Sequence, residues 1–79
     1  MRRVILGMFP GYTIEQIEDL ADYISERIDE RMDAFVFVGI DDRQEEPFSW
    51  DSTEPNAEAE GRVAFEIVRE LIEDWEVGR

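Results

Sequence analysis

Between Ile14 and Met32, apolar residues recur at helical spacing: Ile14, Ile17, Leu20, Ala21, Ile24, Ile28 and Met32. At 100° per residue they fall within an arc of about 120°. Such a stripe is stable only when buried, so the chain must supply a flat apolar surface for a helix spanning about residues 14–32. Thr13 stands where an N-cap belongs and Gln16 follows three residues later, the pattern of a capping box.

The surface is expected from three short strands. "RRVILGMF" is apolar and partly β-branched, is ended by Pro10 and Gly11, and reads as a strand of about five residues. Residues 34–40, "AFVFVGI", are apolar on both faces, as in a strand inside a sheet covered on both sides. "PFSW", residues 47–50, reads as a third strand whose Pro47 suits an edge. The polar "DDRQEE" between the last two suggests a hairpin. A second helix follows Pro55 and runs to about Trp75 or Glu76, with Ala64, Ile67, Val68, Leu71, Ile72 and Trp75 on its inner face. Gly61 falls in that apolar arc, so either the firm helix begins there or a neighbour approaches closely. Phe48, Trp50 and Trp75 are expected in the core.

The fold class is therefore α/β (α+β), with order βαββα and a three-stranded mixed sheet packed with two amphipathic helices. If both helices share one face of the sheet, the other is left apolar and is expected to form a homodimer interface.

At 79 residues the chain is expected to be a single acidic domain, residues 1–79, near the size at which one core supplies only a few kcal/mol. With no cysteine, disulfides cannot reinforce it. "MRRVILGMFPG" has too short an apolar run for a signal peptide and is read as mature sequence. No run approaches the roughly 18 apolar residues of a membrane span, so a cytoplasmic location is expected. The absence of histidine, cysteine and lysine removes the usual general base, thiol nucleophile and Schiff-base amine, and no glycine-rich phosphate loop is present. A non-enzymatic protein without cofactors is expected.

The net charge of −13 exceeds the magnitude of about 2–8 that solubility alone asks of a small domain. It disfavours nucleic acid and anionic membranes and favours basic proteins as partners. Much of it lies on the first helix, where Glu15, Glu18, Asp19, Asp22, Glu26, Asp29, Glu30 and Asp33 share an arc of about 120° across from the apolar stripe. They extend over roughly 27 Å of helix rise. That gives about one negative charge per 3.4 Å, close to the axial phosphate spacing of one DNA strand. Five like-charged pairs four residues apart each cost about 0.2–0.5 kcal/mol. Asp29, Glu30 and Asp33 sit near the helix C-terminus, where the macrodipole favours cations. A helix selected for stability alone would carry lysine or arginine there.

Tyr23, at the edge of the acidic strip and off the apolar stripe, is a candidate contact residue. Asp41, Asp42, Glu45 and Glu46 extend the acidity into the turn. They lack the alternating ligands and central glycine of a calcium loop, so no metal is expected. A solvated surface and adaptation to high salt are the two alternatives to a binding role for these carboxylates.

A small, strongly acidic α/β chain without a catalytic set, with this acidic helix, resembles the phage-encoded inhibitors that mimic DNA, the small anti-CRISPR proteins among them. The resemblance rests on size, charge and the helix, since these inhibitors share no motif. It implies a basic DNA-binding protein as partner, such as a CRISPR effector complex in a host bacterial cell, and inhibition by occupation of its DNA channel.

Overall fold

The computed structural model describes residues 1–78. In chain order the elements are β1 (Arg2–Leu6), α1 (Ile14–Met32), β2 (Phe37–Ile40), β3 (Phe48–Ser52) and α2 (Ala57–Val77). The sheet is mixed, in the order β2-β1-β3. β1 runs parallel to β2, with Val4 opposite Val38 and Leu6 opposite Ile40. It runs antiparallel to β3, with Val4 opposite Trp50 and Leu6 opposite Phe48.

This register sorts the side chains by face, because alternate residues of a strand point to opposite sides. Val4, Leu6, Val38, Ile40, Phe48 and Trp50 share one face and pack with the apolar residues of both helices. α1 lies against β2 and α2 lies against β3, and the helices touch along their seam. The central strand beneath them is the most thoroughly covered, with Val4 and Leu6 fully buried. The two helices therefore share one side, and the other side of the sheet is open.

The α1 boundaries follow from its caps. The Gln16 backbone N–H donates to Thr13 Oγ1 at 3.2 Å and the Thr13 N–H donates to Gln16 Oε1 at 2.8 Å, completing the capping box. At the other end Asp33 adopts a left-handed conformation, φ 53°, which turns the chain out of the helix.

Three expectations are corrected. β2 and β3 do not form a hairpin; each pairs with β1, which takes the centre. Residues 34–40 are not a doubly covered strand, since the regular strand begins at Phe37, lies at an edge and leaves Phe37 45% exposed. Ile14 is not part of the buried stripe and stands 46% exposed, because the core-facing part of α1 begins at Ile17.

Gly61 marks a close approach. A Cβ there would stand 2.9 Å from Trp50 Cδ1. The indole has little freedom to retreat, because its Nε1–H donates to the Ala57 carbonyl at 3.0 Å. Gly61→Ala is expected to lower stability by up to about 2 kcal/mol, since an overpacking cost of about 1–3 kcal/mol is offset by a gain of about 1 kcal/mol in helix propensity. A lower urea midpoint is the expected reading, and a raised one would show that Trp50 yields freely.

Candidate functional site

On α1, the side that turns away from the core carries the acidic row. Glu15, Glu18, Asp19, Asp22, Glu26, Glu30 and the capping Asp33 are all exposed. Cations are scarce around them. Arg31 reaches over to Glu70 of α2, Nη2 to Oε2 3.1 Å. Arg27 lies 3.4 Å from Glu26, which among the described residues is the one member of the row in an ion pair.

Asp29 departs from the rest. It is half-buried, and its Oδ1 accepts a hydrogen bond from the Val36 backbone N–H at 2.9 Å. The carboxylate fixes the connection from α1 into β2, and it belongs to the fold rather than to the open row. Tyr23 is also reassigned. Its ring packs against the hydrophobic core, and the Arg27 guanidinium covers it at 3.7 Å from the ring centre. The same guanidinium donates to the Tyr23 carbonyl at 3.1 Å. Tyr23 is thus a half-buried seat for Arg27, with one ring face already occupied.

The turn after β2 is brought beside the N-terminal end of the row. Asp41 and Asp42 line a shallow depression of about 880 Å³ together with Ile14, the first residue of α1. Asp41 has a structural share as well, because its Oδ1 accepts from the Arg43 N–H at 3.0 Å and its own N–H donates to the Leu6 carbonyl at 2.9 Å. Asp42, Glu45 and Glu46 are exposed. Among the described residues no group of three or more acidic side chains is gathered as a metal-binding set.

Elsewhere the carboxylates are better matched. Glu60 accepts three hydrogen bonds from Arg2, one at each oxygen from Nε at 3.1 Å and one from Nη2 at 3.0 Å. This raises the Arg2 pKa, against the opposing effect of desolvation. Glu54 is held below the ordinary carboxylate range, first by the hydrogen bond from the Met1 amino group, then by the charges of that amino group and Arg2. Its contribution to stability is present above the unfolded carboxylate pKa and is lost as the pH falls through the lowered one. These pairings lie at the β1–β3 end of the sheet and leave the α1 row untouched.

The open side of the sheet is a second feature. Arg3, Ile5, Phe37, Gly39, Ser49 and Asp51 face outward, with Arg3 in an ion pair with Asp51. The Phe37 ring lies over Gly39, where an added Cβ would meet it at 2.9 Å. Phe35, just before the strand, is 70% exposed. Residues 34–40 read as apolar on both faces, so the sequence did not distinguish this face from the covered one, and its lack of a cover depends on where α2 comes to rest.

No family model, curated protein or solved structure matches the chain. Among the described residues, no helix is long and apolar enough to cross a membrane.

Proposed function

We propose that the chain is an inhibitor of the DNA-mimic kind, related in character to anti-CRISPR proteins. Its α1 acidic face occupies the basic DNA-binding surface of a CRISPR effector complex and blocks binding of target DNA. The observation that carries this reading is the row Glu15, Glu18, Asp19, Asp22, Glu26, Glu30 and Asp33, exposed along one helix and almost without counter-charges. Lysines and arginines that hold phosphates spaced about 3.4 Å apart would meet carboxylates at a similar linear density. Asp42, Glu45 and Glu46 would extend the contact past the start of the helix.

Because charge drives the encounter, binding is expected to be fast and to weaken steeply as salt rises. The test is competition: purified effector complexes, loaded with labelled target duplex, are titrated with the protein at low and at raised sodium chloride. Loss of the DNA-bound species at low salt, with recovery at high salt, is expected. Target DNA that stays bound at every concentration and salt would overturn the proposal for those complexes.

A second reading is favoured by the exposure of Phe35 and Phe37. In it the chain is a non-enzymatic regulatory or accessory module that binds through apolar contacts, its acidity serving solvation or salt adaptation. Its complexes would survive high salt.

A further inference from the structure

We infer that the open face of the sheet is the contact surface for a second copy of this chain, packed sheet to sheet about a two-fold axis. The face is apolar at Ile5 and Phe37, with Phe35 and Ile14 exposed beside it. An uncovered patch of this kind calls for a partner. What identifies the partner is charge. With a net −13, two copies repel each other through any surface built from the helices. The outward strand residues Arg3 and Asp51 cancel, and with Asp41, Asp42 and Arg43 at the border of the face the sum is only −1, so this is the surface on which two copies repel least. Packing two such faces together keeps both helices, and most of each acidic row, on the outer sides of the assembly, with only the N-terminal end of α1 near the contact.

The same ion pair makes the face self-complementary. Arg3 and Asp51 are direct neighbours across β1 and β3. A two-fold axis parallel to the strands and passing between them lays Arg3 of each copy over Asp51 of the other. In an isologous contact both exchanges form at once. The intrachain pair is thereby extended into a ring of four alternating charges flanked by Ile5 and Phe37.

The experiment is sedimentation of the full chain across a concentration series, with three single variants. The wild type is expected at twice its 9.3 kDa mass at tens of micromolar. Phe37→Asp, Arg3→Glu and Asp51→Arg are each expected to sediment as monomers with unchanged circular dichroism. An equimolar mixture of Arg3→Glu with Asp51→Arg is expected to restore the doubled mass, because like charges within each chain then face opposite charges across the axis. A wild type that stays monomeric throughout the series overturns the inference. So does a mixture that remains monomeric, or a dimer that Phe37→Asp leaves intact. None of these readings depends on inhibition of a DNA-binding partner.

Discussion

Replacing Asp22, Glu26 and Glu30 together by arginine is expected to weaken binding to a basic partner by at least about a hundredfold while leaving the fold intact. Three attractive contacts at the middle of the row become repulsive, and a loss of roughly 1 kcal/mol at each already exceeds that factor. The choice of residues matters. All three are exposed, whereas Asp29 holds the Val36 N–H and its replacement would loosen the entry to β2. A variant that included Asp29 would confuse lost binding with lost structure. Each reversal adds two charges, so the net falls from −13 to −7. The new arginines gain acidic neighbours three or four residues away, Glu18 and Asp19 near 22, Asp29 near 26, Asp33 near 30. Helix stability is therefore expected to hold or rise. Competition against labelled DNA and urea denaturation measured on the same samples separate the two effects. A variant that still displaces DNA as well as the wild type does would show that the row is a solvated face.

The periodicity of the chain made the helices legible, and the reasons are local. Thr13 and Gln16 set the start of α1 through bonds made within four residues, and the chain leaves the helix at Asp33. Gly61 within an apolar arc left two readings, a late helix start or a close neighbour; α2 already begins at Ala57, and the neighbour is Trp50. Strand order was not legible in the same way. The two-sided apolarity of residues 34–40 suggested an interior strand, but position within a sheet is decided by which strand the others choose to flank. That strand is β1, with Val4 and Leu6 beneath the seam of the helices. Among the carboxylates, a helical wheel cannot distinguish Asp29 from Glu26 or Glu30. Only the return of the chain at Val36 gives Asp29 a backbone donor. Tyr23 lies off the main stripe on the wheel, yet it reaches the core once the helix is docked.

Gly7→Ala is expected to be the most damaging single-methyl change in the chain. The ideal Cβ would stand 2.2 Å from the Glu46 carbonyl oxygen and 2.9 Å from that of Gln44. Both are backbone atoms, so no side chain can swing aside to make room. Glycine is needed here for space, where the turn after β2 crosses the end of β1. The crossing is also a knot of hydrogen bonds. The Gly7 N–H donates to the Pro47 carbonyl at 2.8 Å and the Asp41 N–H to the Leu6 carbonyl at 2.9 Å. Gln44 Nε2 donates to the Ile5 carbonyl at 2.9 Å and to that of Glu46 at 3.2 Å, while its Oε1 accepts from Ser49 Oγ at 2.8 Å. Moving the turn outward to admit a methyl group strains several of these bonds together. The expected cost is about 3 kcal/mol or more. Against a total of roughly 4–12 kcal/mol for a chain of this length, that brings the protein close to unfolding. Gln44→Ala is the useful comparison, because it removes the side-chain bonds without a clash and is expected to cost only about 1–2 kcal/mol. Urea titrations followed by tryptophan fluorescence, with Trp50 reporting on the core, would rank the two. If Gly7→Ala unfolds at or above the urea concentration that unfolds Gln44→Ala, the turn does not rest on Gly7.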